Sequence, residues 1–386
     1  MKQPGQPFRI QHKLVTLQDV AQRCGFTKST VSRALLNDPR VKPTTRSHIL
    51  AIAEEMGYNP SQNAAARRLV LRGRGMDILN HNVALCIRSD MYTVNYYMLV
   101  FKGIVDELAH TDFTLLMLLA PPNEQDAVRA LPPTFERGDI DGIITCAGIN
   151  IPGALDLFRR HPLLKNCPVV GTVTKDVGST SVVLGDEAQG AYLSAKHLLE
   201  LGHREIIHYQ GHAGQENYQK RLAGVRRAFS EYGLDAETHI HSMPFPQVWI
   251  EPHGLGNGKT GAGELSDDAM QFSARLLATL RDHPRITAIL PLNDANAIRI
   301  WRVLQDEGYR VPDDISIIGF DDTDPMMDLQ GQNLLTSVRL PLEEIGREAV
   351  RLLMRQIEMH QLDPVEVVLP VELMLRQSTA PAHPRA

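Results

Sequence analysis

The sequence predicts an α/β protein with a small all-helical head, and three observations carry that prediction. From Val83 onward, short apolar runs alternate with stretches of helical period. Before that, residues 14–60 hold three short amphipathic helices and no strand pattern. Charge divides along the same boundary: residues 1–75 carry 13 Lys and Arg against 4 Asp and Glu, and the remainder carries 27 against 41. A chain of 386 residues exceeds one ordinary core, so the alternating part predicts two lobes, each a parallel sheet covered by helices.

In the head, Thr16 with Asp19 three residues later forms a capping-box start. Leu17, Val20, Ala21 and Cys24 then fall on one helical stripe. Gly25 suits a left-handed C-cap, Phe26 is expected to plug the corner between helices, and Thr27 can cap the next helix. That second helix turns Val31, Ala34 and Leu35 inward and leaves Lys28, Ser29, Thr30, Ser32 and Arg33 mainly outside. A third helix follows Pro43, with Ile49, Ile52, Ala53 and Met56 as its stripe and Gly57 as its stop. Residues 59–82 change character: an alanine patch, four arginines and too few apolar residues for a core predict a linker with at most two helical turns.

Seven apolar runs predict strands: 83–87, 113–119, 141–145, 168–173, 205–209, 286–292 and 314–320. Helical stretches near 96–110, 187–201, 218–232, 294–307 and 341–359 separate them. No stretch is long and apolar enough to span a membrane, and "MKQPGQPFRIQHKL" lacks the apolar centre of an export signal. The four cysteines, 24, 86, 146 and 167, are far apart, and reduced thiols in a cytoplasmic protein are expected.

Helix, glycine turn, helix is the arrangement that places the start of a second helix in the DNA major groove. There Lys28, Ser29 and Thr30 can reach base edges, and hydroxyls with Arg33 can reach bases or phosphates. The basic head supports a polyanionic partner. A plain three-helix bundle with solvated hydroxyls is the alternative.

The stretch "VTLQDVAQRCGFTKSTVSRALLNDPRVKPTTRSHILAIAEEMGYNP" resembles the N-terminal domain of the LacI/GalR (lac-repressor) family. The resemblance rests on T-x-x-D-V-A, T-V-S-R, R-V after the second helix and the closing G-Y-x-P. It continues through "ELGHREI" (200–206), "RLAG" (221–224), "VPDDISIIGFDD" (311–322) and "LTSVRLPLEEIGREAV" (335–350), so it covers nearly the whole chain. It implies a homodimeric, ligand-controlled repressor of transcription acting on a pseudo-palindromic operator in double-stranded DNA. The implied core is two-lobed and periplasmic-binding-protein-like (type I), with a sugar or sugar derivative between the lobes. The expected divisions are a tail 1–13, the helix-turn-helix domain 14–60, a hinge 61–81, the ligand-binding and dimerisation core 82–378 and a tail 379–386. The DNA-facing residues expected are Thr16, Thr27, Lys28, Ser29, Thr30, Ser32, Arg33 and Asn37. In the hinge, Leu69 is the implied minor-groove wedge, with Arg67 and Arg68 beside phosphates. From Tyr58 to Leu69 this chain is about two residues longer than the family pattern, and a flexible tether is the other reading of the segment.

Open α/β sheets bind ligands beyond the carboxyl ends of their strands. Asn293, with Asp294, and Asp321 occupy such ends. By resemblance Arg221 grips a ligand hydroxyl or acid, and Tyr96 and Tyr97 line the pocket. Trp249 can supply a stacking platform for a sugar. An arginine with carboxylate and amide groups suits hydroxyls that need partners once desolvated. For the tyrosines, core packing or an inter-subunit contact stays open, and for Asp321 a capping role.

Gly258-Lys259-Thr260 imitates the end of a phosphate-binding loop, but His253 stands where that motif needs glycine, and a glycine-rich insertion is expected. His208, His212, His239 and His241 are expected at the surface rather than around a metal. No cofactor is implied. An exported binding protein would need a leader and no basic head. An enzyme using Asp321, Asp322 or Asp324 would need a positioned nucleophile or base, which the sequence does not offer. The C-terminal "RQSTAPAHPRA" has no leucine heptads, so a dimer without a tetramerising tail is expected.

Overall fold

The computed structural model describes residues 15–35, 38–56, 58, 79–88, 94–120, 135, 139–146, 158–161, 164–173, 181–211, 216–244, 267–359 and 363–383. The chain forms two compact units. One is Met1–Asn80 with Pro133–Asp139, and the other is His81–Pro132 with Ile140–Ala386.

Helices α1 (Leu17–Cys24), α2 (Lys28–Leu35) and α3 (Pro43–Glu55) make the head. Val20, Ala21, Val31, Ala34, Ile49 and Ala53 form its core with Val41 and Tyr58, while Leu17, Cys24, Leu35, Ile52 and Met56 pack around them partly buried. Gly25 takes φ 73° and directs its N–H back to the Ala21 carbonyl, a left-handed cap that only glycine enters without strain. Phe26 does not plug the corner. It is 36% exposed, with its ring edge-on to His48 of α3 at 6.4 Å. In a turn between two eight-residue helices, its side chain projects past the valine and alanine core.

The body holds two main sheets and a small third one. Lobe 1 is built on β1 (Asn82–Arg88), β2 (Thr114–Ala120), β3 (Gly142–Cys146), β4 (Val169–Thr172), β5 (Ser181–Gly185) and, from near the chain's end, β12 (Glu366–Leu369). They run parallel in the order β2-β1-β3-β4-β5-β12. Lobe 2 has β6 (Glu205–Gln210), β7 (Ile240–Pro244), β8 (Ile286–Leu290) and β9 (Ser316–Ile317), parallel in the order β7-β6-β8-β9. β10 (Gly319–Asp321), β11 (Ser337–Arg339) and β13 (Glu372–Met374) form the small sheet, with β11 parallel to β10 and antiparallel to β13.

Lobe 1 is covered by α4 (Asn95–Leu108) and α10 (Leu342–Met359), which pack together and with α10 against β3, β4 and β5. In lobe 2, α5 (Glu187–Glu200) packs on α6 (Glu216–Glu231), and a short α7 (Ala236–His239) leads into β7. Around Tyr209, Phe272, Leu276, Ile289, Ile300 and Trp301, the core of lobe 2 closes between its sheet and the helices α8 (Asp267–Asp282) and α9 (Asp294–Asp306). The chain passes between lobes three times: after β5, between β11 and α10, and between β12 and β13.

The expected single strand over 314–320 is two strands in different sheets. β9 pairs with β8, the Ile318 N–H reaches Ile289 at 3.3 Å, and the Gly319 N–H then turns to the Thr336 carbonyl at 2.8 Å. Beyond the end of β8 the chain must find a new partner, and it finds β11. The strands β5, β7, β11, β12 and β13 and the helices α7 and α8 fall outside the expected elements. Residues 379–382, expected within a tail, lie along lobe 2: the Ala382 N–H reaches Leu201 at 2.8 Å and the Ala380 N–H reaches Ser316 Oγ at 3.1 Å. Cys86 and Cys146 are buried free thiols, and burial pushes both up to about 12.

Candidate nucleic-acid face and ligand cleft

The start of the head is set by reciprocal caps. The Thr16 N–H donates to Asp19 Oδ2 at 2.8 Å, and the Asp19 N–H donates to Thr16 Oγ1 at 3.3 Å. Thr27 Oγ1 accepts from the Thr30 N–H at 3.2 Å and so holds the first turn of α2. Packing of Val31 and Ala34 then fixes the rotation of α2, which leaves Lys28, Ser29 and Arg33 exposed and Thr30 and Ser32 half-buried. The loop after α2 is closed by Arg40, whose Nε and Nη2 grip Asp38 at 3.0 and 2.6 Å. That grip holds the Asp38 carboxyl at about 2. Arg46 Nη2 donates to the Asp38 carbonyl at 2.6 Å, and Val41 enters the core. Five of the expected DNA-facing residues thus share one helix, with Thr27 as its cap and Thr16 as the cap of α1. Asn37, Arg67, Arg68 and Leu69 lie outside the described residues.

In the body, the residues at the carboxyl ends of the strands converge on Arg221 of α6. Its Nε donates to Glu187 Oε2 at 2.5 Å, its Nη1 to the Leu292 carbonyl, and its Nη2 lies 3.6 Å from Asp321 Oδ1. The guanidinium stacks over the Phe320 ring at 3.6 Å, with the Tyr218 ring 5.5 Å away. Arg221, Glu187 and Asp321 are all buried. The crossing of α5 and α6 makes this meeting possible. Gly224 sits where a Cβ would come within 2.0 Å of the Ala188 carbonyl oxygen, so glycine alone lets the two helices approach.

Asp321 closes β10 with φ 97°. Its Oδ1 is buried without a hydrogen-bond partner, since 3.6 Å to Arg221 is beyond bonding range. Burial, chiefly, raises this carboxyl to about 7; Arg221 pulls it down, while Glu187 and Asp324 push it up. Behind it, Asp294 accepts from Ser337 Oγ at 2.5 Å and the Thr323 N–H at 2.7 Å. Burial and the Asp321 charge hold Asp294 well above the usual carboxylate range. Asp322, at φ 56°, turns the other way to Arg339 of β11 and to Arg376 beyond β13, each at 2.7 Å.

Tyr96 and Tyr97 lie half-buried in the first turn of α4, edge-to-face at 5.0 Å. The Tyr96 phenol is raised well above its ordinary value, first by burial and then by Asp321 and Glu187, so it belongs to the same cluster although it comes from lobe 1. Asn95 beside it reaches Asp324 across the lobes at 3.5 Å. Asn293 is the N-cap of α9, its Oδ1 accepting from the Asn296 N–H at 2.9 Å. Trp249, His212 and the insertion 254–264 lie outside the described residues. His208 is buried, not at the surface; burial first, then Arg221 and Arg226, lower it to about 4. It sits on β6 beneath α6, where the sheet face is covered.

Sequence reasoning missed Glu187, Phe320 and the Asp322 clamp. Glu187 follows the end of β5, so the strand-end rule would have found it had "SVVLG" been read as a strand.

A helix-turn-helix head joined in one chain to a two-lobed core of parallel sheets, with a polar cluster where the lobes meet, defines a class: regulators that bind DNA and carry a binding-protein-like body. Within that class the head is of the LacI type: "Bacterial regulatory proteins, lacI family" matches residues 16–61. "Periplasmic binding proteins and sugar binding domain of LacI family" matches 80–247, and "Periplasmic binding protein-like domain" matches 195–379. The chain is 28% identical over 368 residues to the HTH-type transcriptional regulator DegA of Bacillus subtilis, covering 95% of this chain and 99% of the relative. It is also 28% identical over 370 residues to catabolite control protein A of Priestia megaterium, with the same coverage. Among solved structures, the transcriptional regulator CelR–cellobiose complex shares the fold, with a TM-score of 0.58 at 24% identity over 94% of this chain and 99% of that one.

Proposed function

We propose that this transcription regulator represses from a pseudo-palindromic operator as a homodimer, and that a sugar or sugar derivative between the lobes sets its operator affinity. The carrying observation is the buried Arg221 cluster, where an unsatisfied Asp321 oxygen and a lobe 1 tyrosine face one guanidinium. Sugar hydroxyls both donate and accept, so they can satisfy Asp321 and the remaining Arg221 donors together. Lys28, Ser29 and Arg33 read base edges, with Thr30, Ser32 and Asn37 supporting and Thr16 and Thr27 placing the helices. Arg67 and Arg68 hold phosphates and Leu69 opens a base step in the minor groove. In the cleft, Tyr96, Tyr97, Asn293 and Trp249 complete the ligand's surroundings.

Coupling runs through the Asp321–Asp322 pair. Asp321 faces the ligand, and the next residue grips Arg339 and Arg376 beside two of the three passages between lobes. A ligand that shifts Asp321 therefore biases the lobe angle, and DNA and ligand affinities change each other reciprocally. Such a protein acts on the nucleoid in the cytoplasm, and no described helix is long and apolar enough to cross a membrane. Its matched relatives are named as transcription regulators, and no turnover of a bound sugar is expected.

Selection of bound sequences from random DNA, followed by titration of the best site with a panel of sugars, tests the reading. An enriched palindrome whose affinity one sugar changes is expected. No enriched palindrome would overturn the DNA reading, and a palindrome unmoved by every sugar would overturn the effector reading.

A further inference from the structure

The charges around Arg221 restrict what the cleft accepts, on the reading that the cleft holds the effector. The neighbouring charges that bear on Asp321 are one cation, Arg221, against two carboxylates, Glu187 and Asp324. Asp294, directly behind Asp321, is held well above the usual carboxylate range, so that its neutral form is favoured. The nearby guanidinium groups of Arg339 and Arg376 are turned to Asp322. Among the described residues, then, Arg221 is the one cation that bears on Asp321, while Arg299 bears on Asp324.

Geometry sharpens the point. A carboxylate or phosphate held by arginine takes two parallel N–H groups of the planar fork. Here the Nε arm of Arg221 is engaged by Glu187, Nη1 already donates to Leu292, and one face of the plane rests on Phe320. An anionic ligand would have to displace Glu187, leaving it buried and unpaired, or add its own charge beside Glu187 and Asp321 away from water. A hydroxyl meets no such conflict. It can donate to Asp321 Oδ1, which is buried without a hydrogen-bond partner, and accept from Nη2.

We propose that Glu187, by neutralising Arg221, makes the cleft select uncharged polyhydroxylated ligands over acidic or phosphorylated ones of the same skeleton. The probes are matched sets: glucose, glucuronate and glucose 6-phosphate; galactose and galacturonate; ribose and ribose 5-phosphate; cellobiose and cellobionate. Calorimetry and thermal shift on the full chain at pH 7.5 read their affinities. The expected result is a neutral member that binds and an acidic or phosphorylated counterpart at least about tenfold weaker. Glu187→Gln should narrow that ratio while the melting temperature of the unligated protein confirms a folded cleft. An acidic member binding as tightly as its neutral counterpart overturns the proposal, as does an unchanged ratio in a folded Glu187→Gln protein. If that variant does not fold, the wild-type ratios decide alone. If no member of any charge shifts melting or operator affinity, it is the effector reading itself that fails, and that outcome is distinct from a reversed preference.

Discussion

At the scale of single residues, exposure and charge divide the labour. Lys28 stands exposed at the start of a helix whose inward face is fixed by Val31 and Ala34, so it is free to meet a base edge without disturbing the core. Lys28→Ala should change which bases are preferred, by about 1–3 kcal/mol at one position, with the melting temperature unmoved; repeating the sequence selection with the variant checks this. Asp321 gives a pH signature. Its carboxyl titrates near 7 without ligand, and hydroxyls donating to it favour the ionised form, which lowers its pKa in the complex. Binding therefore expels a proton between the two values. Affinity should rise with pH through 7 and level off above it, falling by up to about tenfold per unit below. Calorimetry in two buffers of different ionisation heat measures the proton, and Asp321→Asn should abolish the dependence. Asp321 stands at a strand end, where the sequence places it, whereas Arg221 was singled out through the family resemblance and lies inside α6 rather than at its start. Glu187 was not legible in the sequence, because its partner is 34 residues away and its strand is a short valine run bounded by glycine.

At the scale of elements, two crossings hold the site together. The approach of α5 and α6 over Gly224 brings Glu187 to Arg221. Gly224→Ala should force the helices apart, costing about 1–3 kcal/mol of stability, and weaken ligand binding; denaturant melts with and without a bound sugar separate the two effects. The C-terminal segment is the second. Ser378 is fully buried, donates to the Ile317 carbonyl at 2.6 Å and accepts from the Thr336 N–H at 2.8 Å. Ser378→Ala strands both backbone groups, and a loss of about 1–3 kcal/mol in a denaturant melt is expected. Its bonding explains why the apolar run 314–320 misled: apolarity announces burial, but which sheet receives each residue is decided by partners such as Ile289 and Thr336, one of them later in the chain.

Over the whole molecule, the charge asymmetry has a measurable consequence. A head of net +9 on a body of net −14 draws the helix-turn-helix domain toward DNA while the body is repelled. Operator affinity should fall with salt at a log–log slope of about −0.9 per phosphate neutralised. Arg33→Ala should flatten that slope, which equilibrium binding over a salt series reads directly. Two of the three passages between lobes run beside Arg339 and Arg376, and Asp322 grips both, so segments far apart in the chain are joined at one carboxylate.

The sequence by itself determined the helical head and its caps, the parallel α/β rhythm of the body and the aspartate at a strand end. Each of these is written in local spacing, because helix period, turn chemistry and strand burial act over a few residues. The tertiary structure alone decided that Glu187 neutralises Arg221, that β9 and β10 part company, that a tyrosine from lobe 1 joins a cluster in lobe 2 and that the C-terminal segment closes the lobe. Those depend on packing between residues distant in sequence, where a glycine's missing Cβ or a carbonyl left without a partner chooses the neighbour.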